Sequence, residues 1–342
     1  MIFFVAPKQE TWCMEAYLRQ EGRELARRMR VLNFESIIAS QDLPLGTYIF
    51  GAIDQLSPTE HQIAETCWNA LSSSCSQITL LNHPRKVLCR YDLLKTCFAL
   101  KRNTYQVMRA SKFYRYQNYP VFIRSERRHE GSLTPLLHTP GQLRRALLKT
   151  LLRGHYLRDL IIVEYRDTAD PAGIFREYNA SIVGDRIIPQ AVVHNRNWIT
   201  KWSGRLVDPA QVQEECDFLD RNPHSDWLKE TFALANIHYG RIDYGVKDGI
   251  PQVWEINTNP QIVRPTEWGP GSLTPEQRIL SAPSRRRFFD GLQAAFEAID
   301  SSADPGRTTR IHISRRQRLN FASEKRWLHR GKQWNPRTGR ME

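Results

Sequence analysis

The stretch His238-Tyr-Gly-Arg-Ile-Asp243-Tyr-Gly-Val-Lys-Asp-Gly-Ile-Pro-Gln-Val-Trp-Glu255-Ile-Asn257-Thr-Asn-Pro260 constrains this chain more than any other. Residues 237–246 and 251–257 read as two strands of a hairpin, with Lys247-Asp248-Gly249 between them. Two carboxylates and an amide sit on an otherwise apolar ribbon. Side chains alternate faces along a strand, so register decides what these three can do together. With a three-residue loop, Val246 faces Ile250, Asp243 faces Val253, and Asp243, Glu255 and Asn257 share one face. A two-residue Asp-Gly loop sends Glu255 to the other face, so a shared face needs the longer loop or a bulge. Carboxylates on one face repel unless a cation neutralises them, and hard oxygen donors without His or Cys suit Mg²⁺. The competing reading is a solvated strand face with capping Asn residues ahead of Pro260.

The rest of the chain supplies a frame for that hairpin. Its 342 residues suggest two or three structural units, and 41% hydrophobic residues with nine Trp are enough for a real core. Residues 1–80 alternate strand and helix signals in the order β-α-β-β-α-β: strands at 2–5, 30–34, 47–53 and 77–81, helices at 11–29 and from Ser57-Pro58 to about 71. That order predicts a small open α/β domain. Further on, the reading is a helix over 88–100, strands near 104–107 and 121–124, a polar loop over 125–132 and a helix over 141–152. Strands follow at 160–165, 174–183 and 186–193, the last two joined by a Gly184-Asp185 turn. Leu228, Phe232 and Ala235 mark a helix over 226–236, and Phe288, Leu292, Ala295, Phe296 and Ile299 mark an amphipathic one.

The net charge of +13 raises the question of a nucleic-acid partner. Residues 305–342 carry eleven Lys and Arg against two acids, a net of +9, which leaves +4 for residues 1–304. The basicity is read as a property of the tail, and nucleic acid is not expected as a partner. Trp327, Leu328 and Trp334 are interleaved with the tail's cations, which suggests docking. The six cysteines form no Cys-x-x-Cys pair and read as reduced thiols of a cytoplasmic protein. Residues 1–6 form an apolar run too short for a signal-peptide core, and no run approaches the ~18 residues of a membrane helix, so no membrane partner is expected.

Several chemistries lack their motifs. There is no G-x-x-x-x-G-K-[ST], no H-E-x-x-H or other zinc spacing among ten His, and no G-x-S-x-G. Gly269-Pro270-Gly271-Ser272 lacks the third glycine and preceding strand of a dinucleotide fingerprint and reads as a turn.

The pattern Arg241-Ile-Asp243-Tyr-Gly…Val-Trp-Glu255-Ile-Asn257-Thr-Asn-Pro260 resembles the metal-binding hairpin of the ATP-grasp superfamily, which includes D-alanine–D-alanine ligase, glutathione synthetase and ribosomal-protein glutamate ligases. Other segments follow in that family's order. Asn82-His-Pro84 with Arg90-Tyr-Asp92-Leu-Leu-Lys95 is similar to the opening of the fold. Tyr119-Pro120-Val-Phe-Ile-Arg124 is similar to the strand ending in a phosphate-contacting Lys, and Glu130-Gly131-Ser132 to the loop that closes on ATP. Ile161-Ile-Val-Glu164-Tyr165-Arg166-Asp resembles the adenine hinge, and Gly173-Ile-Phe-Arg176-Glu-Tyr-Asn179 the strand after it. The resemblance covers roughly residues 82–300, with 1–80 matching the small domain that usually precedes them. It departs from the family where Arg124 replaces Lys and where Asn179 stands in place of Arg; the family's first Lys corresponds to Lys95 or to Arg90.

The resemblance implies an α/β (α+β) ATP-grasp fold: an N-terminal domain over 1–81, a central subdomain over 82–160, a C-terminal subdomain over 161–300 and a basic tail over 301–342. It implies that Asp243 and Asn257 each hold one Mg²⁺ and Glu255 bridges two, with Mn²⁺ as a substitute. Lys95, Arg124, Ser132, Glu164, Tyr165 and Arg166 would bind ATP, and Arg241 and Arg176 would serve catalysis. The implied reaction is ATP-dependent ligation of a carboxylate to an amine through an acyl phosphate, with residues 125–132 as the lid and a homodimer compatible with the family. The identity of acid and amine stays open, with residues 8–16, 41–57 and 196–205, including Trp198, Lys201 and Trp202, as candidate substrate contacts. Each cation also has a bland alternative: Arg124 as a surface charge, Arg176 in an ion pair, Arg241 salt-bridged to Asp243. A phosphotransferase on the same fold and a non-enzymatic nucleic-acid-binding protein using the tail are the alternatives.

Overall fold

The computed structural model describes residues 1–74, 76–116, 118–129, 131–200, 204–263, 273–330, 334–335 and 340–341. The chain is a mixed α/β protein that divides into two compact units, Met1–Lys86 with Ile299–Glu342, and Val87–Ala298.

The first unit opens with β1 (Ile2–Ala6), whose five apolar residues are all buried, as a central parallel strand requires. β2 (Met29–Asn33) and β4 (Thr47–Phe50) flank it in parallel, and the short β5 (Leu80–Leu81) pairs with β4, giving the order β2-β1-β4-β5. The helix expected over 11–29 stops much earlier: α1 spans Trp12–Gln20. Gly22 donates its N–H to the Tyr17 carbonyl (2.8 Å), and a Cβ there would sit 2.7 Å from the Tyr17 ring, so the chain turns over that ring. Sequence reading extended the second strand through Phe34 and missed the helix that follows. Asn33 and Ser36 form a reciprocal capping box that starts α2 (Phe34–Ser40). β3 (Asp42–Pro44) precedes β4, and α3 spans Pro58–Ser74, with Pro at its start as the sequence indicated.

In the second unit, α4 (Arg90–Ala99) leads to an antiparallel sheet of β6 (Val107–Arg109), β7 (Val121–Ser125) and β8 (Leu160–Glu164), with β8 in the middle. α5 (Pro140–Leu152) packs Leu143 and Leu147 onto this sheet beside the 3-10 stretch Ala110–Arg115. β9 (Phe175–Val183), β10 (Arg186–Asn195), β11 (Tyr239–Lys247) and β12 (Ile250–Asn257) form an antiparallel sheet in the order β10-β9-β11-β12. α6 (Pro209–Arg221), capped by Asp208 with Gln211, was not anticipated. α7 (Ser225–Ala235) and α8 (Pro275–Ala298) complete the unit. Leu228, Phe232 and Ala235 enter the core with Ile242, Tyr244 and Val253, as their helical spacing indicated.

The C-terminal segment folds within the first unit. β13 (Thr308–Arg310) pairs antiparallel with β3, and α9 (Arg315–Arg330) lies along α3. Ile311, Ile313 and Phe321 are buried, and Lys325 reaches the buried Glu60 (3.0 Å). Five cysteines are free thiols; Cys75, Glu130, Lys201, Trp202, residues 269–272 and the side chains of Trp327, Leu328 and Trp334 lie outside the described residues.

Candidate active site

The hairpin reaches a shared carboxylate face by the bulged route. Asp248 and Gly249 form a two-residue loop, both with positive φ (51° and 76°), and Lys247 pairs with Ile250. Tyr244 then faces Val253, but Asp243 faces Glu255, because Trp254 is the extra residue of a bulge. The pairing of Asp243 with Val253 expected from a three-residue loop is therefore replaced, while Asp243, Glu255 and Asn257 still share a face. Gly245 makes room for the bulge, since a Cβ there would lie 2.6 Å from the Trp254 ring. Arg241 faces Asn257 across the ladder.

Each carboxylate is held by cations. Arg241 grips Asp243 with two bonds, Nε to Oδ1 (2.8 Å) and Nη2 to Oδ2 (3.0 Å), and Asn179 Nδ2 adds a third to Oδ1 (2.8 Å). Arg90 Nη2 and Arg124 Nη2 both donate to Glu255 Oε2 (2.5 Å each), and His129 Nδ1 lies 3.6 Å from Oε1. Burial alone would raise the Glu255 carboxyl, but Arg90, Arg124 and His129 outweigh it and hold the group well below the usual range. Burial pushes the Asp243 carboxyl up, against the pull of Arg241. Burial, then the crowding of Arg90, pushes Arg124 down.

Apart from Arg90, these groups line a cavity of about 430 Å³. Its polar lining comes from Arg124, His129, Glu177, Asn179, Arg241, Asp243 and Glu255. Its apolar lining includes Leu94, Phe122, Val163, Phe175 and Trp198. Trp198 lies over Phe122 (4.9 Å between centroids) and edge-on to Tyr165 (5.6 Å). Glu164, Tyr165, Arg166 and Ser132 also line it. Glu164 Oε2 accepts from the Gln106 N–H (3.0 Å), Arg166 Nη2 is 4.0 Å from Glu164 Oε1, and Ser132 Oγ donates to the Thr134 carbonyl (2.6 Å).

Not every candidate residue converges. Lys95 is exposed on α4 and is not among the lining residues, whereas Arg90 at the start of that helix is buried against Glu255. Arg176 lies on the opposite face of β9, where Nε donates to Glu214 Oε1 and Nη1 to Asp170 Oδ2 (2.7 Å each). Asn257 Oδ1 accepts the Asn259 N–H (2.7 Å) and stands outside the lining set.

Sequence reading gave no role to Glu177, which lines the cavity beside Asn179. Thr200 Oγ1 donates to its Oε2 and Asn179 Nδ2 to its Oε1 (3.2 Å). Burial, then the Asp243 charge, pushes its carboxyl up to about 7. The available signal was parity: positions 177 and 179 share a strand face, and 176 cannot.

The donor set of Glu177, Asp243, Glu255 and the Asn179 amide can offer oxygen alone, which matches the chemistry of Mg²⁺. Burial first, and the Asp243 charge second, raise the Glu177 carboxyl, so a cation there would favour its ionised form. Among the described residues, no three His, Cys, Asp or Glu side chains already form a cluster able to hold a metal, since arginines occupy the carboxylates. The residues fit a dication in kind, provided these arginines give way.

No family model and no curated protein matches this chain. Among solved structures, it is similar to D-alanine–D-alanine ligase from Bacillus anthracis complexed with ATP (13% identity, TM-score 0.46, 87% of this chain and 98% of that one). It is also similar to L-amino acid ligase from Bacillus licheniformis (9% identity, TM-score 0.42, 86% and 74%). A third similar structure is the ATP-grasp RimK domain protein from Sphaerobacter thermophilus (12% identity, TM-score 0.44, 86% and 99%).

Proposed function

We propose that this chain is an ATP-dependent carboxylate–amine ligase of the ATP-grasp type. The observation that carries the reading is Asp243 facing Glu255 across a bulged hairpin, with Arg90 and Arg124 converging on Glu255 at the wall of a cavity lined by both charged and apolar residues. The apolar lining suits a base, with Glu164, Tyr165 and Arg166 also on the cavity wall. The polar lining suits a triphosphate. Arg90 and Arg124 are planar forks that can pass from a carboxylate to phosphate oxygens without losing hydrogen bonds.

Asp243 and Glu255 would hold Mg²⁺ once the arginines turn to phosphate, with Asn257 and Glu177 beside them. The ion would neutralise charge on the phosphates. Arg241, beside Asp243, is placed to bind a substrate carboxylate or a phosphoryl oxygen. In the proposed reaction, the carboxylate of one substrate takes the γ-phosphoryl group of ATP and ADP leaves; an amine then attacks the acyl phosphate, losing a proton as the amide forms and phosphate leaves. Water must be excluded meanwhile. Arg90 Nη1 takes the carbonyls of Ser125, Glu126 and Arg128 (2.7, 2.9 and 3.1 Å), which ties the candidate lid loop to the same residue that touches Glu255.

The test is a screen of amino acids and small carboxylates, with and without amines, for ADP and phosphate release in the presence of Mg²⁺. Release that needs both an acid and an amine supports the ligase. Release that needs no amine, with a stable phosphorylated product, makes the protein a phosphotransferase instead.

A further inference from the structure

The position of the charges gives the net charge a different meaning. Residues 93–158 carry fourteen Lys and Arg against two acids, Glu126 and Glu130, a net of +12. With the +9 of residues 305–342 set aside as well, the remainder of the chain is −8. The tail is therefore not the main seat of basicity, and the body's modest surplus is the sum of two opposed blocks.

Part of the cationic block faces outward on one element. α5 turns Leu143, Leu147 and Thr150 inward. Arg144, Arg145, Leu148, Lys149 and Leu152 are exposed, at the spacing of a single strip, and the exposed Arg153 extends it. Leu148 and Leu152 are 60% and 79% exposed. On the flank, the 3-10 stretch packed beside α5 presents Tyr114 with the Arg115 guanidinium 5.6 Å from its ring, and Tyr156 carries Arg158 at 5.3 Å. No acid occurs between residues 131 and 158. Among the described residues, Arg158 with Asp159 (3.8 Å) is the one ion pair this group makes. The like charges Arg145–Lys149 and Lys149–Arg153 stand one turn apart and repel. Among the described residues, no acid pairs with them.

We propose that this face of α5 binds the phosphate backbone of single-stranded RNA. Arginine outnumbers lysine on it, and planar forks match phosphate oxygens. Its exposed rings are tyrosines set beside guanidinium groups, an arrangement that stacks bases without choosing among them. The leucines form a strip bordered on both sides by cations, narrow for insertion into a membrane and suited to the apolar faces of ribose and base. The inference is independent of the ligase reading.

The test is fluorescence anisotropy of a labelled oligouridylate with the full chain over a series of salt concentrations. The comparison variants are R144Q/R145Q/K149Q/R153Q on α5 and R315Q/R316Q on α9. The α5 variant should bind at least about 30-fold more weakly, with a log–log salt slope shallower by about 3, from about 0.7 per phosphate contact over four cations. The α9 variant should lose less than about twofold. Removing like-charge repulsion should leave the thermal melt of the α5 variant unchanged or higher; if that variant fails to fold, R145E alone carries the same test with a loss of about tenfold. Absence of binding by the unaltered chain at low salt, equal losses in both variants, or binding to phosphatidylserine vesicles but not RNA would each overturn the proposal.

Discussion

Asp243 faces Glu255 only because Trp254 is bulged out of the ladder between β11 and β12. Were Trp254 paired in a regular ladder, the two-residue Asp248-Gly249 loop would set it opposite Asp243 and put the carboxylates on opposite faces. Gly245 is what permits the Trp254 ring to lie where it does. The pair is thus fixed by the backbone geometry of its own strand neighbours, Trp254 beside Glu255 and Gly245 two residues from Asp243.

D243N and E255Q should each lower ATP turnover at least about 100-fold, because each removes a full charge from the cavity wall. E255Q should also lower stability by about 3 kcal/mol, since Arg90 and Arg124 would face each other buried and without a counter-charge. Steady-state ADP release and urea denaturation separate the two effects. Turnover that survives both substitutions sinks the site assignment.

The two arginines on Glu255 should answer differently to lysine. Arg90 also bonds three loop carbonyls, so R90K should cost about 2 kcal/mol of stability and loosen the loop, seen as faster hydrogen exchange over residues 125–129. Arg124 bonds Glu255 alone among the described partners, so R124K should leave the melt nearly unchanged and raise KM for ATP about tenfold. Equal behaviour of the two variants would show that the loop carbonyls held by Arg90 do not set it apart from Arg124.

Much of this site is legible from residue order, because strand parity is a short-range rule. Arg241 and Asp243, two apart, share a face as expected, and the apolar helix of Leu228, Phe232 and Ala235 enters the core. Parity also separates Arg176 from Glu177 and Asn179, although residue type alone favours the arginine. The bulge at Trp254 is not legible, since it depends on the cross-strand contact with Gly245. α2 and α6 were missed although their start signals, Asn33 with Ser36 and Asp208 with Gln211, are in the sequence: α2 is only seven residues long, too short to display a period, and the apolar face of α6 is set among many acids and glutamines. Nor could spacing show that Arg90, 165 residues before Glu255, would end in contact with it.

Glu177 should give stability a pH dependence. Its carboxyl is raised to about 7 by burial and by Asp243, so the folded chain holds a proton that the unfolded chain releases near the ordinary Glu value of 4.5. Stability contributed by that proton is complete below the unfolded value and is lost as pH rises through about 7. The loss should be on the order of 2 kcal/mol, measured by denaturation between pH 5 and pH 8 without metal. E177Q should flatten this dependence. An unchanged profile in E177Q would assign the dependence to another group.

Arg176 should behave as a brace for the fold. It joins Asp170 and Glu214, and Glu214 also takes His194 Nε2 (2.9 Å). Burial opposes the ionised Glu214, but His194 and Arg176 outweigh it and hold the carboxyl near about 2. R176Q should lower stability by about 1–2 kcal/mol at pH 7, with the difference shrinking as pH falls through the range in which Glu214 takes its proton. KM for ATP should stay within about twofold. A large rise in KM with an unchanged melt would instead place Arg176 on the nucleotide.

The C-terminal segment should prove inseparable from the first unit. Ile311, Ile313 and Phe321 are buried in it, β13 extends β3, and Lys325 lies 3.0 Å from Glu60 and 3.4 Å from Glu35. At about 1.5–3 kcal/mol for each buried apolar side chain, ending the chain at residue 304 should remove about 5 kcal/mol or more. That loss should appear as proteolysis within residues 1–86 while residues 87–298 stay protected. K325M should be far milder, because it leaves the apolar contacts and a methylene stem in place. It still strands Glu60, so a loss of about 1–3 kcal/mol is expected. If the shortened chain melts like the full one, the segment is an appendage after all, and its cations are free for a partner of their own.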